Sequence, residues 1–181
     1  MTRDELLKLL KEKIETRNLI KHMLAAEAAM KALAQHFNED EQSWAMAGLA
    51  HDLDYETTKD NFEKHGLQSA EILSEKGFAP EIIDAVKAHA GKKEAASKME
   101  RALYAVDPLT GLIVAAALMH PDKKIKSIDT DFVMRRFDEK RFAAGADRNQ
   151  IKSCRKLGLS LEKFISITLD AMKSIDKELG L

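Results

Sequence analysis

Ala50-His51-Asp52-Leu53-Asp54-Tyr55 follows directly on the apolar run from Trp44 to Leu49. The run predicts a helix that carries the His-Asp pair into the protein interior. An imidazole and a carboxylate side by side can both turn toward one cation, and borderline divalent metal ions favour this combination of ligands. The pair therefore indicates the centre of a metal site, although the same dipeptide also suits the end of a buried helix.

The composition of the 181 residues is typical of a helical protein, with 45% hydrophobic and 33% charged residues, three prolines and eight glycines. The length falls within the range of one domain with a sizeable core. Lys and Arg number 29 against 30 Asp and Glu, which gives a formal charge of −1. This balance supplies no general electrostatic reason to bind nucleic acid or an anionic membrane, so we expect neither partner.

The N-terminus, the longest apolar stretch and the single cysteine indicate the cellular location of the protein. The N-terminal Met1 to Glu5 lacks the features of a signal peptide, and the longest apolar stretch, from Leu112 to Met119, is shorter than the ~20 residues that span a bilayer. Cys154 has no partner for an internal disulfide. We therefore expect a cytoplasmic protein.

Apolar residues recur at helical spacing along the chain, and no segment alternates with the period of a strand, so we predict an all-α fold with a single domain over 1–181. We expect the N-terminal and C-terminal amphipathic helices to cover the core, with a dimer interface as the alternative. The predicted helices cover 3–15, a segment capped by Asn18 that runs to about His36, a segment that ends near His51-Asp52, Gly66 to Leu73, Pro80 to His89, Met99 to Val106, Leu109 to Met119, 129–137, 147–156 and 160–179. Residues 54 to 64 are expected to form a loop, and Asp107-Pro108 a break between two helices.

Six side chains are candidate metal ligands because they lie at inward-facing or helix-terminal positions, mostly beside small residues. They are His22, His51, Asp52, His65, His89 and Asp107. His36 and His120 lie at helix ends near polar residues and are expected to be exposed.

The order of these residues resembles the HD superfamily of metal-dependent phosphohydrolases, in which a lone His, a His-Asp pair and a distant Asp bind a metal. The resemblance implies an HD-domain helical bundle over about 18–118, with additional helices over about 119–181, and assigns His22, His51, Asp52 and Asp107 to the metal. The segment from Lys64 to Leu73, followed by Ile82 to His89, resembles members that hold a second metal, which would add His65 and His89 as ligands. Alternatively, His65 contacts a substrate phosphate and His89 supports a ligand. The stretch from Ala102 to Ile113 is similar to a small subgroup of predicted HD hydrolases.

Three departures from related sequences narrow what the resemblance implies. The chain has His-Asp-Leu-Asp where His-Asp-Ile-Gly is common, and Ala90 follows His89 where cyclic-dinucleotide phosphodiesterases have a second histidine and a nearby Gly-Tyr-Pro. The Glu-Asp pair of hydrolases that act on the stringent-response nucleotide is also absent. Neither substrate is therefore implied here.

The resemblance implies hydrolysis of a nucleotide or another small phosphoester by water activated on one or two divalent metal ions, of Fe, Mn, Co, Ni or Zn. Asp52 would bridge two metals. Asp54 or Glu56 would act as a base or as a supporting anchor, with exposed loop carboxylates as the alternative. Lys64 is the predicted catalytic cation beside the site. Further candidate cations are Arg101, Lys123, Lys124, Arg135, Arg136, Arg141 and Arg148, and Phe142 to Arg148 is expected to form a lid or cavity wall.

Two other functions fit the same ligand order. Myo-inositol oxygenase and a phosphonate-degrading relative share the HD fold and hold two irons, so a di-iron oxygenase is the second hypothesis. A metal-containing module that binds a nucleotide without turnover is the third. The sequence is compatible with a monomer or a homodimer.

Overall fold

The computed structural model describes all 181 residues and contains helices but no strands. The all-α fold class predicted from the sequence is confirmed. Eleven α-helices are present: α1 Arg3–Lys13, α2 Arg17–Phe37, α3 Glu41–Ala50, α4 Tyr55–Thr58, α5 Leu67–Glu75, α6 Pro80–His89, α7 Lys98–Met119, α8 Thr130–Asp138, α9 Arg148–Lys152, α10 Leu161–Ser174 and α11 Asp176–Leu179. Two 3₁₀ segments, Ile125–Ser127 and Ser153–Leu157, connect the later helices.

The two longest helices, α2 and α7, lie at the centre of the bundle and contact each other. One continuous cluster of 42 buried apolar residues joins all parts of the fold. It includes Leu6 and Leu10 of α1, and Phe164 and Ile165 of α10, all of which are fully buried. The amphipathic helices at both ends of the chain therefore cover the core, as expected.

Helices α2 and α3 approach each other closely where both carry small residues. A Cβ atom added to Gly48 would lie 2.6 Å from the carbonyl oxygen of Ala26, which is far closer than two such atoms can approach. This contact fixes the end of α3 against α2. The His-Asp pair that follows α3 is thereby held beside α2.

Helix α7 runs without interruption through Pro108, so the predicted break at Asp107-Pro108 is wrong. An interior proline lacks an N–H, and the carbonyl four residues earlier loses its helical hydrogen bond. Here that carbonyl belongs to Tyr104, and the side-chain Nε2 of Gln150 donates to it over 2.8 Å. A side chain from α9 thus replaces the missing donor, which explains how the helix continues and why Asp107 lies in its middle.

By length and composition alone, α7 is apolar enough to cross a membrane. The stretch considered in the sequence, from Leu112 to Met119, is only the last eight residues of this 22-residue helix. In the structure 56% of the most apolar 18-residue stretch of α7 is buried among the other helices. We therefore assign α7 to the core of the bundle.

The N-terminus of α7 is held by a buried carboxylate. Glu100 forms a capping box with Ser97 and also accepts hydrogen bonds from Lys93 Nζ and the Ala96 N–H, at 2.8 and 2.7 Å. Burial raises the pKa of Glu100, but these hydrogen bonds outweigh it and leave the pKa below its usual value. The stability of this helix start therefore depends on an ionised Glu100.

The start of α2 differs from the prediction. The N-cap residue is Thr16 rather than Asn18, and its own side chain makes no capping hydrogen bond. Instead Glu56 accepts from the backbone N–H groups of Glu15 and Thr16, at 3.0 and 2.7 Å. Glu56 lies just after the start of α4, a single turn within the stretch predicted to be a loop. Its carboxylate ties this turn to α2.

Candidate metal centre

Five separate parts of the bundle bring the six predicted ligands together. His22 projects from α2, His51 and Asp52 follow the last turn of α3, and His65 lies in the loop before α5. The remaining two are His89, the last residue of α6, and Asp107 in the middle of α7.

The first cluster is formed by His22, His51, Asp52 and Asp107. The Nε2 atoms of His22 and His51 are 3.1 Å apart, and Asp107 Oδ1 lies 3.1 Å from His22 Nε2 and 3.8 Å from His51 Nε2. Asp52 Oδ2 is 3.5 Å from His22 Nε2 and 3.4 Å from His51 Nε2. Two imidazole nitrogens and two carboxylate oxygens thus surround one point.

The second cluster is formed by His65, His89 and the other oxygen of Asp52. The Nε2 atoms of His65 and His89 are 3.2 Å apart, and Asp52 Oδ1 lies 3.4 Å from each of them. One carboxylate therefore presents one oxygen to each cluster. This is the arrangement expected of a bridging ligand.

Backbone carbonyls orient two of the histidines. His51 Nδ1 donates to the carbonyl of Gly48 over 2.8 Å, and His89 Nδ1 donates to the carbonyl of Val86. In both cases the acceptor lies three residues earlier, in the last turn of the helix that carries the histidine. With Nδ1 bound to a carbonyl, Nε2 is the nitrogen of each ring that is directed into its cluster.

A hydroxyl orients His22. Thr110 Oγ1 donates to the backbone carbonyl of Asp107 over 2.9 Å and accepts from His22 Nδ1 over 3.0 Å. The hydroxyl thus links the helix that carries Asp107 to the ring of His22. It leaves His22 Nε2 free to act as a ligand.

A buried carboxylate orients His65. Asp54 Oδ1 accepts from His65 Nδ1 over 2.9 Å, and Asp54 Oδ2 accepts from the Ser69 N–H over the same distance. Asp54 is only 2% exposed. Burial raises the pKa of Asp54, but the hydrogen bonds from His65 and Ser69 outweigh it and lower the pKa. Three roles for Asp54 are compatible with the sequence: a base, a supporting anchor or an exposed loop carboxylate. This geometry favours the supporting anchor.

The clusters create a strongly negative environment. Burial lowers the pKa of His51, but Asp52 and Asp107 outweigh it and raise the pKa to about 9. Burial raises the pKa of Asp52, yet contacts with His51, His89 and His22 hold it well below its usual value. The pKa of Asp107 is likewise lowered, against the effect of burial, chiefly by His22. Both carboxylates are therefore ionised at neutral pH.

This donor set fits a divalent transition metal. Ligand atoms of His22, His51 and Asp107, and those of His51, Asp52 and His89, all lie within 4.8 Å of one another in each group. Imidazole and carboxylate together suit Fe, Mn, Co, Ni and Zn, and four histidines exclude a site built for Mg or Ca. Close-set lone pairs and carboxylates repel each other unless a cation lies between them.

A cavity of about 660 Å³ opens onto both clusters. Its walls include Tyr55 and Phe62 on one side, and Gly145, Asp147 and Gln150 from the segment around α9. The stretch from Phe142 to Arg148 was expected to form a lid or wall, and Gly145 and Asp147 from this stretch do line the cavity.

None of the candidate cations lines this cavity. Lys64, the predicted catalytic cation, is exposed and lies outside it, while its neighbour His65 points inward. Arg148 donates instead to the backbone carbonyls of Ala143 and Ala146, at 2.6 and 2.7 Å, and so holds the loop before α9. We therefore leave Lys64 out of the mechanism proposed below.

Several site residues were not predicted from the sequence. Thr110 contacts His22 across the fold, and Gly48 contributes only a backbone carbonyl, so no side-chain signal in the sequence identifies either of them. Tyr55 and Phe62 were a detectable signal, because they are two aromatic residues in an otherwise polar stretch between two predicted ligands. Gln150 carries no signal at all.

The fold and these clusters define an all-α protein built around buried histidines and aspartates that could hold divalent metal ions. The HD domain family matches residues 19–117, more than half of the chain, and the chain belongs to this family. It is also 28% identical over 134 residues to Ribonuclease Y of Sulfurovum sp. (strain NBC37-1). That similarity covers 72% of this chain and 26% of the relative, so the chain spans about a quarter of that protein.

Proposed function

We propose that the protein is a metal-dependent phosphoester hydrolase that acts on a nucleotide or another small phosphorylated metabolite. The observation that carries the proposal is the position of Asp52, whose two oxygens face two separate histidine clusters 3.4 to 3.5 Å away. Membership of the HD family supports it. The relative named as a ribonuclease supports phosphoester chemistry, but its substrate is not transferred to a chain that spans a quarter of its length.

In the proposed reaction the chain's own residues hold and orient the reacting groups. His22, His51 and Asp107 would hold one ion, His65 and His89 the other, and Asp52 both. When bound, these ions lower the pKa of a water molecule and withdraw charge from the phosphoryl oxygens. The water oxygen forms a new bond to phosphorus, the bond from phosphorus to the leaving oxygen breaks, and the water proton ends on that oxygen.

Metal content and turnover test this function together. Protein purified without oxygen and reconstituted should contain two ions per chain and should hydrolyse members of a panel of phosphomonoesters, phosphodiesters and nucleotides. Asp52→Ala should lose metal and activity, whereas Asp60→Ala, which changes an exposed carboxylate on the other side of α4, should keep both. A wild-type protein without metal after reconstitution would refute the proposal.

The same experiment separates the two competing functions. Hydrolysis needs no oxygen, so turnover that disappears under anaerobic conditions identifies an oxygenase. Tight nucleotide binding with no turnover of any ester identifies a binding module. The absence of a nucleic-acid or membrane partner, the cytoplasmic location and the choice between monomer and homodimer remain predictions.

A further inference from the structure

Two aromatic side chains, Tyr55 and Phe62, form one side of the cavity, and we call this pair the aromatic wall. The ring centroid of Phe62 lies 4.8 Å from that of His65, and the Tyr55 centroid lies 5.6 Å from it. The two rings of the wall meet edge to face, with centroids 6.2 Å apart. The wall therefore stands directly beside the second cluster.

The wall is exposed to the cavity and to solvent. Phe62 is 56% exposed and Tyr55 is 36% exposed, while the other six phenylalanines are buried or half-buried. An exposed phenylalanine on its own needs no explanation, but apolar surface at the rim of a cavity with polar groups at its base is typical of a ligand site. An aromatic ring has a π-face on which a planar group can stack.

The charge of the cavity restricts the ligand further. Its 15 lining residues include the carboxylates of Asp52, Asp107 and Asp147 and no Lys or Arg. Arg148, which follows the lining residue Asp147 in sequence, donates instead to the backbone carbonyls of Ala143 and Ala146. Positive charge for a phosphoryl group would therefore come from bound divalent ions alone.

This balance favours a ligand of low charge. A terminal phosphate carries about −1.5 to −2 at pH 7, whereas a phosphodiester has no second ionisation and carries about −1. Two divalent ions and the three carboxylates together give the loaded cavity a formal charge of +1, which a phosphodiester balances and which a more highly charged phosphate exceeds. A diphosphate or triphosphate is the least suited ligand.

We propose that the cavity binds a phosphodiester that carries a nucleobase, with the base stacked on the aromatic wall and the diester at the two clusters. This inference rests on the proposed function and specifies its substrate class. A cavity of about 660 Å³ matches a ligand of one or two nucleotides rather than a long chain. Stacking on an aromatic side chain is sequence-tolerant, so the wall selects for a base without selecting which base.

The test uses metal-loaded protein and three probes that contain 2-aminopurine, a base whose fluorescence falls when it stacks. They are a dinucleoside monophosphate, the nucleoside 5′-monophosphate and the nucleoside 5′-triphosphate. The dinucleotide should bind with quenching and should be cleaved with the highest kcat/KM of the three. Phe62→Leu and Tyr55→Leu keep apolar volume but remove the ring, and they should raise the dinucleotide KM at least about 5-fold and relieve the quenching.

Two controls show that the effect belongs to the wall. Phe62→Trp keeps a π-face and should retain tight binding. Met119→Leu changes another exposed apolar residue, 64% exposed and outside the cavity, and should leave binding and turnover unchanged. Circular dichroism checks that every variant is folded.

The remaining outcomes distinguish a wrong substrate class from a wrong hydrolase function. Faster cleavage of the monophosphate or triphosphate than of the dinucleotide overturns this inference and leaves the hydrolase function intact. Unchanged KM and quenching in Phe62→Leu and Tyr55→Leu also overturn it. An oligonucleotide bound far more tightly than the dinucleotide replaces the small ligand with a nucleic acid, and no turnover of any ester refutes the proposed function itself.

Discussion

Replacing Asp54 by Asn should remove metal from the second cluster while leaving the first cluster loaded. Both oxygens of Asp54 accept hydrogen bonds, from His65 Nδ1 and from the Ser69 N–H, each over 2.9 Å. Asn keeps the size of the side chain but turns one acceptor into a donor. Either Ser69 loses its acceptor, or His65 moves its proton to Nε2, where that proton blocks the ligand lone pair.

The size of the effect follows from these contacts. Loss of a partner that orients a metal-binding histidine lowers metal affinity about 10- to 100-fold. Loss of a buried hydrogen bond to a charged group also lowers the free energy of unfolding by about 1.5–3 kcal/mol. His22, His51 and Asp107 make no contact with Asp54, so the affinity of the first cluster should stay within about 3-fold of wild type.

Competition with a fluorescent chelator measures both affinities, and elemental analysis of protein dialysed at a metal concentration between them counts the ions. Wild type should hold two ions and Asp54→Asn one. Asp60→Asn, the same change at an exposed carboxylate on the other side of α4, should hold two. A folded Asp54→Asn protein with unchanged affinity at both clusters would show that this carboxylate does not orient His65.

Three further predictions concern stability, each measured by urea unfolding. Gln150→Leu leaves the carbonyl of Tyr104 without a donor and should lower the free energy of unfolding by about 1–3 kcal/mol. The loss should be smaller in a Pro108→Ala background, where residue 108 regains an N–H. Equal losses in both backgrounds would contradict this role of Gln150. Gly48→Ala places a methyl group 2.6 Å from a backbone oxygen and should lower the free energy of unfolding by about 1–3 kcal/mol. An unchanged unfolding midpoint would show that α2 and α3 are not in such close contact. Glu100→Gln should destabilise at neutral pH. Because folding holds the pKa of Glu100 below that of the unfolded chain, its contribution is present above the unfolded value of about 4.3 and is lost as the pH falls through the folded value. The difference from wild type should therefore shrink in acid, and a constant difference from pH 7 to pH 3 would contradict the assignment.

The ligand order could be predicted from the sequence because a metal site requires specific side chains, and those side chains are visible as letters. His22, His51, Asp52 and Asp107 come from three helices, yet their chemistry and their small neighbours marked them in advance. The structure brings these candidates together, and the all-α fold followed from the helical spacing of apolar residues in the same way.

The interactions that orient the ligands could not be predicted, because most of their partners are backbone atoms or distant side chains. The continuity of α7 is the clearest case. Local rules place a helix end at Pro108, and only a contact with Gln150, 42 positions later, compensates for the lost hydrogen bond. Such a contact depends on the final packing and leaves no local pattern.

The predicted role of Lys64 rested on its adjacency to His65 in sequence, and in the structure Lys64 is exposed and lies outside the cavity. In the loop before α5, the direction of each side chain is set by which group finds a buried partner. His65 has Asp54 as that partner, whereas a lysine loses its hydration on burial and gains no carboxylate there. The loop therefore turns His65 inward and leaves Lys64 in solvent, and the cavity is left without a cationic side chain.

The four histidines share one principle that connects the fold to the chemistry. Each has Nδ1 bound to a fixed acceptor: a carbonyl for His51 and His89, a hydroxyl for His22 and a carboxylate for His65. Each ring therefore directs Nε2 into its cluster, so the fold sets the ring orientation that a metal ligand needs. Only the acceptor of His65 carries a full negative charge. Because this anionic acceptor serves only the second cluster, an Asp54 variant should change metal binding there and leave the first cluster unchanged.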